Sequence, residues 1–155
     1  MKKPMTVDLA TMPGHCVRRV HQISVALFAQ MTESLGTTPV QYSALQTICN
    51  TPGLDQKTLG QAIAFDTSTI GGVIDRLEAR GLVRREMAAH DRRVRLLFPT
   101  PEGEALLQVL VQGMLRSQDA LLEPLPPEDR ATFMRLLRAL IDAHGDVGKA
   151  PPRSE

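Results

Sequence analysis

Between residues 76 and 95 the chain carries Arg76, Arg80, Arg84, Arg85, Arg92, Arg93 and Arg95 against only Glu78, Glu86 and Asp91. That window is +4, although the 155-residue chain as a whole is only +1. An arginine presents a planar fork of donors that fits phosphate oxygens and guanine edges, and a local positive field attracts a polyanion. Asp91, beside Arg92, Arg93 and Arg95, can hold one guanidinium by a bidentate pair and leave the others to reach phosphates or a narrow minor groove. The plainer alternative is a solvated, self-paired turn. Across residues 84–95 the charge is +3, more than Glu86 and Asp91 can neutralise, which favours the polyanion.

Just upstream, Thr67, Ser68, Thr69, Gly71, Gly72, Asp75 and Arg76 all lie off the helical stripe Ile70, Val73, Ile74 and Leu77. A small polar helix face of this kind can enter a major groove. Its hydroxyls can meet phosphates or base edges, and its glycines allow close backbone approach at about 1 kcal/mol of helix propensity each. Alternatively the hydroxyls merely cap the helix and the glycines make room for a neighbouring one. A second constellation, His15, Arg18 and Arg19 at i, i+3 and i+4, shares one side of a helix and can receive a carboxylate; an exposed basic turn is the commoner meaning of such residues.

Other chemistries find no support. Cys16 and Cys49 are the only cysteines and form no CxxC, and His15, His21, His90 and His144 show no metal-ligand spacing. Neither a disulfide framework, a metal site nor a cofactor is expected. No GxSxG, GxGxxG or GxxxxGK[ST] run occurs, so the chain is not expected to be an enzyme. No apolar stretch of about 18 residues exists and no hydrophobic region follows Lys2 and Lys3, so a cytoplasmic protein without membrane contact is expected. With no Trp, one Tyr and four Phe, the core must be built from Leu, Val, Ile, Ala and Met, which suits helices packed on helices.

The elements that must position these residues follow from periodicity and caps. One helix is expected over residues 14–35, striped by Val17, Val20, Ile23, Leu27 and Met31, widened by Val25 and Phe28, and buried on more than one side. Thr38-Pro39-Val40-Gln41 forms a capping box for a helix over 38–50, and a short helix follows over 55–64. Asp66 caps the helix with the small polar face, and Gly81 stops it. Residues 82–87 and 94–98 are β-capable runs around a basic tip. Thr100-Pro101 starts a helix lined by Leu106, Leu107, Leu110, Met114 and Leu115. After Pro124, Pro126 and Pro127, a last helix over 128–144 is expected to bury Phe133, Leu136, Leu137, Leu140 and Ile141.

Three short helices followed by a hairpin make a mainly α fold with a small β-hairpin: a winged helix-turn-helix flanked by N- and C-terminal dimerisation helices. The outer stripes exceed what so small a centre can cover, so a second copy is expected to cover them. The expected organisation is a flexible arm over 1–13, one domain over 14–145 and a flexible tail over 146–155. Within the domain, 14–36 and 100–144 are the outer helices and 38–99 the central lobe, with its wing at 82–99.

The run Asp66-Thr67-Ser68-Thr69-Ile70-Gly71-Gly72-Val73-Ile74-Asp75-Arg76-Leu77-Glu78-Ala79-Arg80-Gly81-Leu82-Val83, followed by Asp91-Arg92-Arg93 and Thr100-Pro101-Glu102-Gly103, resembles the MarR family of bacterial transcription regulators. The element order matches over residues 14–144. The resemblance implies a triangular homodimer, joined through the first and last two helices. Such a dimer binds a pseudo-palindrome in double-stranded DNA, as a repressor, and releases it when a small ligand binds. Carried over by position, it implies Ser68, Thr69, Gly72 and Arg76 at the major groove, beside Thr67, with Arg92 or Arg93 at the wing tip and Asp91 as support.

Gly71 and Gly72 replace the Thr and Arg of many relatives, which shifts weight from base readout to DNA deformability. Pro99 replaces Leu and is expected to shorten the second wing strand, because proline cannot donate to a ladder. The phrase Pro13-Gly14-His15-x-x-Arg18-Arg19 is similar to that of MarR-type regulators of aromatic acid breakdown, nicotinate pathways included. It implies a small aromatic carboxylate, with nicotinate-related compounds among the candidates, at His15, Arg18 and Arg19, with Gln41 and Tyr42 as further lining. Peroxide-sensing relatives hold a reactive cysteine near the first helix start with nearby tyrosines. Cys16 has that place but Tyr42 is the only Tyr, so an inert thiol buried beside Val17 and Val20 is expected. A thiol switch and a helical protein-interaction module without DNA binding are the rival readings.

Overall fold

A computed structural model describes residues 6–145 and 147 of the chain. The elements are α1 (Pro13–Thr32), α2 (Pro39–Asn50), β1 (Leu54–Asp55), α3 (Gln56–Ala62), α4 (Thr67–Ala79), β2 (Val83–Met87), β3 (Arg95–Pro99), α5 (Pro101–Leu122) and α6 (Pro127–His144), with 3-10 turns at Leu9–Thr11 and Glu33–Leu35. Side chains cap four of the helix starts. Thr38 and Gln41 form a reciprocal box on α2, Asp55 caps α3, Asp66 caps α4 and Thr100 caps α5. Each cap satisfies an amide that the first turn leaves without a partner.

The core of the central lobe is built from Ala44, Leu45 and Ile48 of α2, Leu59 of α3, the whole α4 stripe of Ile70, Val73, Ile74 and Leu77, the strand residues Val83 and Leu97, and Leu107 and Leu110 of α5. Full burial of one such Leu or Ile is worth about 1.5–3 kcal/mol, so this cluster holds α4 at a fixed angle to the sheet. The sheet has three antiparallel strands in the order β1-β3-β2, one more than the expected hairpin. The extra strand is two residues long and pairs Leu54 with Leu97. Pro99 does not shorten β3, which runs through it opposite Val83. The Thr100 amide donates to the Leu82 carbonyl (3.1 Å), so the adjacent Val83–Pro99 pair is one from which no ladder bond is asked.

The outer helices correct the expected burial. α1 packs along α5, and the two approach closely at Gly113, where an added Cβ would lie 2.9 Å from Thr32 Cγ2 and 3.0 Å from the Met31 carbonyl oxygen. Only Phe28 and Thr32 of α1 are buried, while Val17, Val20, Ile23 and Val25 are exposed. None of the five α6 residues expected inside is buried; Leu136 is 50 %, Leu140 56 % and Ile141 68 % exposed, and Leu115 of α5 is also exposed. A 3.6-residue stripe declares an apolar face but not what covers it.

Of the arm expected at 1–13, residues 1–5 lie outside the described residues, and of the tail expected at 146–155 only residue 147 is described. Where residues are described, Asp8 caps the Leu9–Thr11 turn and Pro13 opens α1, so regular structure begins ahead of residue 14. No helix among the described residues is long and apolar enough to cross a membrane.

Candidate nucleic-acid interface

The exposed side of α4 begins with Thr67, Ser68 and Thr69 and continues through Gly72, Asp75 and Arg76. Asp66 gathers the first hydroxyls: Ser68 Oγ donates to Oδ1 at 2.5 Å, Thr69 Oγ1 to Oδ2 at 2.6 Å, and the Thr69 amide to Oδ1 at 2.9 Å. These bonds, the Ser68 hydroxyl foremost, hold the Asp66 carboxyl well below the usual carboxylate range. Both hydroxyl protons are thus engaged in capping, leaving lone pairs directed elsewhere. The Thr67 carbonyl accepts from Gln56 Nε2 (3.2 Å), which ties the start of α4 to α3.

The paired glycines divide between the two readings. A Cβ on Gly71 would meet Gln56 Nε2 at 3.2 Å, so this glycine gives room to α3; a Cβ on Gly72 would meet nothing within 4 Å. Gly72 has no packing reason inside the chain, and its backbone can be approached closely from outside.

The wing turn closes through Ala88 N–H to the Val94 carbonyl (3.0 Å) and Val94 N–H to the Asp91 carbonyl (3.0 Å). Asp91 accepts the Arg93 amide at 2.9 Å and grips the same residue's guanidinium through Nε at 3.3 Å and Nη2 at 3.5 Å. The Arg93 amide, and next its side chain, keep the Asp91 carboxyl low. Arg93 is therefore the tethered neighbour and Arg92 the untethered one.

Besides Arg93, three more of the seven arginines in the basic window are engaged within the chain. Arg85 of β2 bridges to Glu78 and to Asp75 (2.5 Å) on α4, which binds the wing to the helix. Arg84 pairs with Glu86 and lies over the Phe98 ring, 4.7 Å from its centroid. Arg80 turns away toward Leu35, Gly36 and Thr37. Among the described residues Arg76, Arg92 and Arg95 keep no ion pair or side-chain hydrogen bond, and all are exposed. A polar helix face open at Gly72, flanked by unpaired guanidinium groups on helix and wing, can lie along a phosphate backbone.

A protein-family model described as the MarR family matches residues 35–94, the stretch that holds α2 to the wing turn. The chain is 33% identical over 147 residues to a transcriptional regulatory protein for the hcr operon of Thauera aromatica, covering 89% of each chain. The chain belongs to the MarR family. The PcaV transcriptional regulator of Streptomyces coelicolor, solved in complex with its natural ligand, is 38% identical; the match spans 90% of this chain and 99% of that one at a TM-score of 0.83. BpsR of Bordetella bronchiseptica, solved in work on regulation of its DNA binding by 6-hydroxynicotinic acid, is 30% identical, with 89% and 99% coverage and a TM-score of 0.83. The winged helix-turn-helix is thus the family fold, and the chain is a transcriptional regulator rather than an enzyme.

In this MarR chain the residues expected to take an effector do not form one cluster. His15 and Arg18 meet, with Arg18 Nη2 3.3 Å from His15 Nδ1, but Arg19 is drawn aside to Gln22 Oε1 at 2.8 Å. Gln41 is buried and spent on its own helix, its Oε1 accepting the Thr38 amide at 3.2 Å. Tyr42 packs against Phe28 (ring centroids 5.7 Å) and donates to Gln46 Oε1 at 3.2 Å, and burial pushes its phenol up. Phe28 stands thirteen residues beyond His15 on α1, about 20 Å along the axis, so one chain cannot bring both sets to one small ligand.

A cleft of about 540 Å³ between the end of α2 and the start of α5, lined by Cys49, Asn50, Glu104, Leu107 and Gln108 among others, includes none of the expected effector residues. Cys16, expected to be buried, is exposed; its Sγ donates to the Ala10 carbonyl at 3.3 Å. The turn at Leu9–Thr11 brings that carbonyl to it, a contact that only the folded N-terminus reveals.

Proposed function

We propose that this MarR-family regulator acts in the cytoplasm as a homodimeric repressor. It grips a pseudo-palindromic operator and lets go when a small aromatic carboxylate binds. The observation that carries the DNA reading is the set Arg76, Arg92 and Arg95, left without internal partners beside an α4 face whose Gly72 is open to close approach. Thr67, Ser68, Thr69, Gly72 and Arg76 enter the major groove, and Arg92 takes phosphate or minor groove with Arg93 held by Asp91. The uncovered apolar faces of α1 and α6 support the dimer, which sets two recognition helices one helical turn of DNA, about 34–36 Å, apart.

The effector reading draws on the relatives, since PcaV is solved with its natural ligand and the BpsR work concerns 6-hydroxynicotinic acid. In this chain His15, Arg18 and Arg19 receive the carboxylate. Their distance from Tyr42 within one chain supports a site completed across the dimer, where the partner's copy of α1 reaches the α2 face. The ligand acts by favouring a dimer shape whose helix spacing misfits DNA; equal affinity for both shapes would shift nothing.

Selection of duplexes by the purified protein from random oligonucleotides, followed by thermal shift across small aromatic acids including 6-hydroxynicotinic acid, tests both halves. The expected result is enrichment of one symmetric sequence and stabilisation by a carboxylate-bearing ring. Absence of any enriched duplex would leave a protein-interaction module, and a response to peroxide that is lost in Cys16→Ser would replace the effector pocket by the thiol.

A further inference from the structure

Residues Arg80, Gly81 and Leu82, which follow the recognition helix, are where both outer helices take hold of it. From the α5 side the hold is backbone. Thr100 Oγ1 donates to the Gly81 carbonyl at 2.6 Å, the Thr100 amide donates to the Leu82 carbonyl at 3.1 Å, and a Cβ on Gly103 would lie 2.0 Å from that Leu82 oxygen. From the α1 side the hold is a single side chain. Arg80 Nη1 donates to the Gly36 carbonyl (3.0 Å) and to Thr37 Oγ1 (3.3 Å), and Nη2 to the Leu35 carbonyl (3.0 Å). Its own amide is still bonded to the Arg76 carbonyl as the C-cap of α4. One guanidinium thus closes the α1–α2 turn, more than forty residues away in sequence, onto the C-cap of α4. A planar fork with several donors can satisfy carbonyls of a helix-like turn end that an ammonium would meet singly.

We propose that Arg80 is a positioning residue, the strut that carries movement of α1 to the recognition helix and the wing. This rests on the DNA-binding reading and says how the effector signal reaches that surface. The α5 contact fixes the pivot, because packed backbone leaves no slack there, and Arg80 makes the α1–α2 turn move with α4. Coupling between two sites is reciprocal, so DNA bound at α4 must be felt at the α1–α2 turn. The strut can therefore be tested without knowing the effector.

The test is amide hydrogen exchange of residues 33–38, read with and without the symmetric duplex that the wild-type protein selects from random oligonucleotides, in wild type, Arg80→Lys and Arg80→Ala. In wild type the duplex should slow exchange in the turn, on the order of fivefold or more. Arg80→Ala should bind the same duplex within a few-fold of wild type yet lose the slowing, and Arg80→Lys should restore part of it. An unchanged slowing in Arg80→Ala with binding intact overturns the strut alone. A duplex that fails to slow the turn even in wild type overturns it equally. A wild-type protein that binds no duplex removes the DNA reading and the strut together.

Discussion

Arg92 and Arg93 are adjacent and chemically identical, yet Asp91 leaves them unlike: it holds Arg93 through backbone and side chain and leaves Arg92 loose. Removing Arg92 should therefore weaken binding to all duplexes alike and flatten the dependence of log affinity on log salt by about 1 for each phosphate no longer neutralised. A titration of salt on specific and random DNA checks this; an unaltered slope for Arg92→Ala would mean the wing does not touch phosphate. Gly72 offers a second test, because stability and function should move in opposite directions. With open space around its missing side chain, Gly72→Ala should stabilise the fold by about 0.5–1 kcal/mol through helix propensity and weaken operator binding by crowding the groove. Chemical denaturation and a binding isotherm on the same preparation settle it, and tighter binding would remove Gly72 from the interface. At this scale the acceptors are harder to read in the sequence than the donors. Asp75 and Glu78 lie ten and seven residues before Arg85, and only the packing of β2 beside α4 brings them to it.

The helix starts are legible because capping is local. Thr38, Asp66 and Thr100 each accept an amide three residues on, and the same residues mark the observed starts of α2, α4 and α5. The α4 stripe is equally legible, since all four of its members are inside. What local pattern does not show is pairing at a distance. β1 is two residues long and exists only because Gly53 and Leu54 lie beside Leu97, with the Gly53 amide donating to the Leu97 carbonyl at 2.7 Å. Likewise Pro99 has the look of a strand breaker until its place in a pair with no bond to β2 is known. The α4–α5 junction makes the sharpest demand on residue type. Because a Cβ on Gly103 would meet the Leu82 oxygen at 2.0 Å, Gly103→Ala should cost about 1–3 kcal/mol through forced displacement, seen as a lower urea midpoint. A midpoint equal to wild type would show that the junction has slack, and would weaken the case for a rigid pivot.

In the whole molecule, the central lobe closes its core with Leu107 and Leu110 of α5, while α6 and most of α1 leave their apolar faces uncovered. Leu140 is 56 % exposed in the single chain, so Leu140→Asp should leave the lobe folded and separate the proposed dimer. Sedimentation should then report a monomer, and affinity for a two-half-site operator should fall on the order of a hundredfold as the two recognition helices lose their linkage. A variant that stays dimeric would move the interface off α6. If the proposed dimer covers it, the bare face of α6 also sets how the protein responds to its own abundance. A helix that relies on a second copy for cover ties thermal endurance to concentration, with the melting point climbing as subunits become plentiful. It also makes every subunit answerable for its mate. In a cell expressing sound and wing-damaged copies equally, roughly three quarters of randomly assorted pairs would contain a defective member, so a lesion in one gene copy would behave as dominant.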